Sequence, residues 1–291
     1  MILPVPGAGF EWQRFGERSG LVCVPMASLA THVFTGRDWS LGAIRGPDGL
    51  DVATSGSDRA GWRAVARAVG VDIGGLRRAR QVHGADVSSC RPEPADALPA
   101  ADVIVVSDVG DAAAIQVADC VPLLIADRMT GAVSAVHAGW RGLAAGAPRV
   151  AVETLVTRCR ARVTDLVAAI GPAIGPCCYE VGLDVRQAFH AAGHPSELVA
   201  SWFHDVPVET PRNPSLPSVA ARRGASREGR SFFDTWSAAA HQLTAAGVPA
   251  SQVFRADLCT ASHPAAFCSY RRDGNGAGRL AAAIRCRPRR P

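Results

Sequence analysis

The sequence predicts a mixed α/β layered fold, and three observations predict it. Four short apolar runs, "DVIVVSD", "AAIQVAD", "PLLIAD" and "AVSAVHAG", succeed one another through residues 102–139 with turn residues between them. That is the pattern of strands covered on both faces. Helical patterns interleave with such runs along the rest of the chain. The end, "FCSYRRDGNGAGRLAAAIRCR", places two strand-like runs around an Asp-Gly-Asn-Gly turn, which predicts a hairpin. With 291 residues, 48% of them hydrophobic, the chain can bury a sizeable core, and no linker interrupts it. Residues 1–291 are therefore expected to form one domain.

Taken in order, "LVCVP" and "THVFTG" read as strands, and "GRDWSLGAIRGPDGLDVATSG" is turn-rich. Ser57 is a plausible cap for a helix that aligns Trp62, Val65 and Val69 and stops at Gly70. "ARQVHGADV" reads as a short strand broken after His83. The four central runs follow. A turn at Met129 and Thr130 would make the runs around it antiparallel neighbours. Residues 143–161 predict one Ala- and Arg-rich helix, "DLVAAIGP" a buried strand, and "GLDVRQAFHAAG" a helix stopping at glycine. Residues 205–230, rich in Pro, Ser and Arg without periodicity, predict an exposed, mobile loop. "FFDTWSAAAHQLTAAGV" is a helix ended by Gly247, and residues 285–291 predict a disordered basic tail.

Composition narrows the chemistry. All 31 basic side chains are arginine, so a lysine Schiff base and a Walker phosphate loop are excluded. The net charge of +5 is small for this length; it permits anionic ligands without demanding nucleic acid. Nine cysteines, an odd number with no Cys-x-x-Cys pair, suit a reduced compartment in which a thiol is either core or chemistry. The N-terminus lacks a signal-peptide pattern, and no run of 18 uncharged apolar residues occurs. A cytoplasmic location without membrane contact is expected, and a monomer is favoured.

Cys120 and His137 sit at matching ends of adjacent strand candidates, and His83 lies in the "QVHG" break. One thiol and two imidazoles make a zinc-like set, and three protein ligands would leave a position open. Spacing alone favours the plainer reading, a core thiol and two surface imidazoles. Asp119 can orient a ligand or serve as general base, or merely cap a turn. Arg141 can reach an anionic substrate or be solvated; strand alternation would send Arg271 and Arg272 to opposite faces. The vicinal pair Cys177 and Cys178 reads as tight packing, because such pairs seldom bridge each other.

Together "QVHGADV", "ADCVPLLIAD", "AVHAGWRGLAAG", "IGPCCYEVG" and the "CT…SYRRDG" segment resemble the YfiH-like family, also described as laccase-domain or multicopper polyphenol oxidoreductases and as purine nucleoside phosphorylases. The resemblance covers residues 81–284. It implies an α/β/β/α sandwich with mixed sheets, similar to the deamidase domain of cytotoxic necrotizing factors. It also implies that His83, Cys120 and His137 bind zinc, and the likeness to the necrotizing-factor domain implies that Cys120 and His137 act in catalysis; Asp119 is the catalytic candidate for moving protons. "VFTGRDWSLG" keeps Phe34 and Arg37 of the family's opening motif but lacks its double glycine, which bears on specificity.

The implied activities are phosphorolysis of adenosine, inosine and methylthioadenosine, and deamination of adenosine, with a purine nucleoside and phosphate as small-molecule partners. An open zinc position lowers the pKa of water toward about 7, which suits attack at purine C6. Arg37, Arg141 and Arg271 are the phosphate-clamp candidates. Two alternatives accompany this reading. One is a copper polyphenol oxidase, against which only eight histidines in the chain argue. The other is a hydrolase editing peptidoglycan precursors, in which Cys120 attacks and His137 is the base.

Overall fold

The computed structural model describes residues 3–42, 56–89, 98–216, 219 and 229–287. The chain opens with β1 (Phe10–Phe15) and β2 (Arg18–Cys23), a turn of helix α1 (Val24–Ala27), and β3 (Thr31–Thr35). Helix α2 (Gly56–Val69) leads to β4 (Leu76–Arg77), β5 (Val87–Ser89), β6 (Val103–Val106), β7 (Ala112–Val117), β8 (Val121–Asp127) and β9 (Val133–Ala138). Next come α3 (Trp140–Ala144), α4 (Ala147–Cys159), β10 (Leu166–Ile170), β11 (Glu180–Val181), α5 (Leu183–Ala191), α6 (Ser196–Trp202) and β12 (Phe203–His204). The chain closes with β13 (Ser231–Phe233), α7 (Thr235–Ala245), β14 (Val253–Arg255), α8 (Tyr270–Asp273) and β15 (Leu280–Arg285).

Two six-stranded mixed sheets carry the fold, ordered β1-β2-β3-β15-β7-β4 and β14-β10-β8-β9-β6-β5; β11, β13 and β12 form a small third sheet. Strand alternation explains the layering. On the second sheet, Val103, Val105, Leu123 and Ile125 pack under Leu143, Val152, Leu155 and Leu243 of the helices. Their neighbours Ile104, Val106, Leu124 and Ala126 turn the other way, onto Ile115, Val117, Leu280, Ala282 and Ile284 of the first sheet. The outer face of that first sheet is nearly all small, Ala112, Ala114, Ala281 and Ala283, which leaves room for Trp39 and for Trp62 and Val65 of α2. The result is the expected α/β/β/α sandwich. Each of these large side chains contributes about 1.5–3 kcal/mol by leaving water.

The central strands lie where the apolar runs predict them, and β8 and β9 are antiparallel. Their turn is held by the Asp127 carboxylate, which accepts from Thr130 N (3.0 Å) and Met129 N (3.3 Å). Helix α2 begins at Gly56, which puts Ser57 inside its first turn rather than before it. The single helix expected over 143–161 is two, because Gly146 takes φ +78° and Pro148 starts a new helix behind it. The segment 81–86 is loop, with His83 itself left-handed at φ 62°.

The C-terminal hairpin does not form. Only β15 is a strand, and it is inserted between β3 and β7, antiparallel to both. "SYRRDG" is instead the capped turn α8: Ser269 Oγ accepts from Arg272 N, and the Arg272 guanidinium donates to the carbonyls of Thr260, Ala261 and Phe267. Those bonds to a neighbouring loop outweigh local strand propensity. The loop expected over 205–230 is anchored in its described part: Asn213 is buried, donating to Asp257 O and accepting from Cys259 N. Residues 217–218 and 220–228 of that loop lie outside the described residues, as do 288–291 of the tail. The tail's start is held, since Cys286 is buried and Arg287 donates to Ser28 O. Among the described residues, no helix is long and apolar enough to cross a membrane.

Candidate active site

Three neighbouring strands set the site. Val121 pairs with Ala138 and Pro122 with His137, so Cys120, one residue before β8, emerges at the same sheet end as His137 near the close of β9. On the other side of β9, Val103 pairs with Val136, which brings Asp102 beside His137. The His137 amide donates to Asp102 O (2.8 Å), and its ring Nδ1 lies 2.7 Å from Asp102 Oδ1. The same carboxylate accepts from the backbone N–H groups of Val82 (3.2 Å), His83 (3.0 Å) and Gly84 (2.7 Å). A single buried aspartate thus orients one imidazole and pins the loop that carries the other.

The outcome is a cluster in which Cys120 Sγ and the ring nitrogens of His83 and His137 lie within 4.8 Å of one another. The two rings are nearly perpendicular, at 80°, with centroids 4.8 Å apart. His137 is buried, Cys120 half-buried and His83 exposed, so the cluster opens on one side. Gly139 is needed where it stands: a methyl there would lie 3.0 Å from Cys120 Sγ and 3.1 Å from His83 Cδ2.

The electrostatics suit a soft cation. Burial opposes an anion at Cys120, yet the His137 and His83 imidazoles outweigh it and bring the thiol down to about 6. Burial likewise opposes a cationic His137, but Cys120 and Asp102 raise it to about 9. At Asp102 burial pushes upward, and the bonds from His137, Gly84 and Val82 more than reverse it. Thiolate is the form that ligates metals, and a histidine held through Nδ1 by a carboxylate presents Nε2 to an ion. The donor set therefore fits a metal ion with one thiolate and two imidazole ligands.

Beside Cys120 lies a cavity of about 350 Å³, within the range of small-molecule sites. Trp140, Tyr179, Ile174, Thr235, Tyr270 and Arg271 line it with Asp119 and Cys120. Burial, and then the charge at Cys120, pushes the Tyr179 phenol up, so it remains a donor. Asp119 takes φ 90° at the entry to β8, and both its oxygens are engaged: Thr260 Oγ1 donates to Oδ1 (2.5 Å) and Arg271 N to Oδ2 (2.6 Å).

Of the three arginines, Arg271 lines the cavity, with its guanidinium 4.9 Å from the Tyr179 ring and Nη1 donating to Glu180 O. Arg141 is exposed and stacks on Trp140 at 4.1 Å. Arg37 does not line the cavity; its Nη1 donates to Pro264 O (2.6 Å). Arg271 and Arg272 do diverge as expected, but because they lie on a helical turn. Asp102, Tyr179 and Thr260 were not singled out from the sequence. An aspartate opening the "DVIVV" strand was the only available sign of the first, and it acquires meaning only once β6 is known to flank β9.

The sequence profile of the family described as multi-copper polyphenol oxidoreductase laccase matches residues 55–287. A relative from Geobacillus stearothermophilus, named purine nucleoside phosphorylase YlmD, is 32% identical over 288 residues, covering 95% of this chain and 89% of its own. A protein from an unknown prokaryotic organism, named adenosine deaminase RL5, is 32% identical and covers 76% of this chain and 78% of its own. The crystal structure of the Bacillus licheniformis hypothetical protein YfiH superimposes with a TM-score of 0.75 at 25% identity, covering 94% of this chain and 98% of that one. With its sandwich, its motifs and these relatives in agreement, the chain belongs to the multi-copper polyphenol oxidoreductase laccase family, the YfiH-like family that its motifs resemble.

Proposed function

We propose that this protein is a zinc-dependent purine nucleoside phosphorylase that also deaminates adenosine, the metal being held by His83, Cys120 and His137. The observation that carries the reading is the convergence of one thiol and two imidazoles against a cavity lined by Arg271 and two aromatic walls. The relatives' names, phosphorylase and deaminase, support the same chemistry. Zinc at this position supplies a Lewis acid able to make water nucleophilic near neutral pH.

The chain's own residues do the rest. Asp102 holds His137 in one tautomer and keeps His83 in reach. Trp140 and Tyr179 offer faces for a purine ring. Arg271, with Arg141 stacked on Trp140, holds phosphate against the ribose. In phosphorolysis a phosphate oxygen bonds to C1′ while the glycosidic bond breaks toward the base, which takes a proton; adenosine and phosphate become adenine and ribose 1-phosphate. In deamination water adds at C6 and ammonia leaves, giving inosine. Asp119, with both oxygens already engaged, serves as a positioning residue that holds the Arg271 turn against Cys120. Arg37, bonded to Pro264, takes no part.

Incubation with adenosine, with and without phosphate and chelator, tests the reading by product chromatography. Adenine with ribose 1-phosphate, dependent on phosphate, supports the first half, and inosine supports the second. Neither product in a metal-replete protein refutes it.

One observation favours a second reading. Asp102, His137 and Cys120 stand in the order carboxylate, imidazole, thiol that activates a nucleophilic cysteine for amide hydrolysis. Metal binding and attack compete for one sulfur, so iodoacetamide labelling of Cys120 with and without chelator separates them. A multi-copper oxidase is less well supported, because only one grouping among the described residues contains imidazoles.

A further inference from the structure

A second cluster of potential metal ligands, made of three sulfurs, adjoins Tyr179 of the cavity wall and Thr260. Cys177, Cys178 and Cys259 are all fully buried, no disulfide joins them, and their Sγ atoms lie within 4.8 Å of one another. Topology assembles them: β10 and β14 run parallel side by side, and the bridge between Ala173 and Cys259 continues that pairing. The surroundings suit sulfur ligands. The Gly175 amide donates to Cys259 Sγ (3.4 Å). Ser262 Oγ lies 3.5 Å from both Cys177 Sγ and Cys178 Sγ, and donates to Pro214 O. Ser262 and His263 in turn line an open cavity of about 510 Å³, so the thiols lie one side chain behind its wall.

We propose that Cys177, Cys178 and Cys259 form a second metal site, for a thiophilic divalent d10 cation of the zinc class. Zinc–sulfur bonds of about 2.3 Å set sulfurs about 3.8 Å apart, so the cluster closes by about 1 Å at most. Binding forms three metal–sulfur bonds and releases the thiol protons to solvent. Three thiolates around a divalent ion leave a single net negative charge, against two around a monovalent one, and a buried site favours the smaller. The ion would be structural. Cys178 precedes Tyr179 and Cys259 precedes Thr260, so it would fix one cavity wall and the hydroxyl that holds Asp119.

The test uses the full chain carrying His83→Ala and Cys120→Ser, stripped of metal under reducing conditions and titrated with cadmium. Thiolate-to-cadmium ultraviolet absorbance and elemental analysis are read together. The expected result is one ion per chain with the absorbance of three sulfur ligands, abolished by adding Cys259→Ser. Cys177→Ala and Cys178→Ala, added singly, should each weaken binding at least tenfold, and every variant with a native circular-dichroism spectrum counts. Absence of cadmium binding while thiol titration finds these cysteines reduced overturns the site, as does binding undiminished in the folded variants. A disulfide among the three under reducing conditions overturns it as well.

Discussion

Asp102 Oδ1 lies 2.7 Å from His137 Nδ1, and the same carboxylate accepts three backbone N–H groups from the loop presenting His83. Both imidazoles of the candidate metal site therefore depend on one residue that touches neither cavity nor cation. Asp102→Asn keeps the shape but removes the charge and allows the wrong tautomer. Metal affinity should fall about 10–100-fold, read by competition with a chromophoric chelator. Asp102→Ala, which strands a buried imidazole and three amides, should cost about 3–5 kcal/mol in urea unfolding. Undiminished metal affinity in the asparagine variant would remove Asp102 from the site.

Gly139 separates stability from function. Its φ of −69° suits any residue, so an added methyl acts only through the space it fills, against Cys120 Sγ and His83. Gly139→Ala should lose about 1–3 kcal/mol by overpacking. Its metal content and turnover should fall more than tenfold. A fully metallated, active Gly139→Ala would show that the cluster is looser than its geometry.

Arg271 and Arg141 should differ in degree. A charged hydrogen bond to phosphate is worth about 1.5–3 kcal/mol, so Arg271→Ala should raise the phosphate KM roughly 10–100-fold with metal content unchanged. Arg141, exposed on Trp140, should give only a few-fold rise. Initial rates over a phosphate series decide it. Equal phosphate kinetics in wild type and both variants would dismiss the clamp.

His32 predicts an acid limit to stability away from the site. It is buried, its Nε2 accepts from the Cys23 amide (2.9 Å), and burial holds its pKa down at about 4. The folded state therefore binds fewer protons than the unfolded state between 6.5 and about 4. The stabilisation is complete above pH 6.5 and is lost as pH falls toward 4. That span is worth about 3 kcal/mol. Urea unfolding at pH 7.5 and 4.5 should show a drop that His32→Asn makes shallower, although the variant starts less stable. Parallel pH profiles would be the contrary result.

Much of the fold was legible. β6 to β9 announced themselves as apolar runs, and Met129 with Thr130 marked the turn that makes β8 and β9 neighbours. Cys120 and His137 at matching ends then followed from pairing arithmetic. The C-terminal hairpin was misread because the Arg272 bonds that bend "SYRRDG" into a helical turn go to residues 260, 261 and 267, which no local pattern reveals. Asp102 stayed hidden for a related reason: it becomes a partner of His137 only because the sheet order runs β8-β9-β6.

By itself the sequence determined the central strands β6 to β9, the reactive residue types and, through its motifs, the family. Those properties are local, written in side-chain period and in fixed short spacings. Tertiary structure alone decided that Asp102 serves both histidines, that Arg271 rather than Arg37 faces the cavity, and that Cys259 meets the vicinal pair Cys177 and Cys178. Strands pair through backbone groups that every residue shares, so the choice among partners comes from burying whole faces together, and no short stretch of side chains records it.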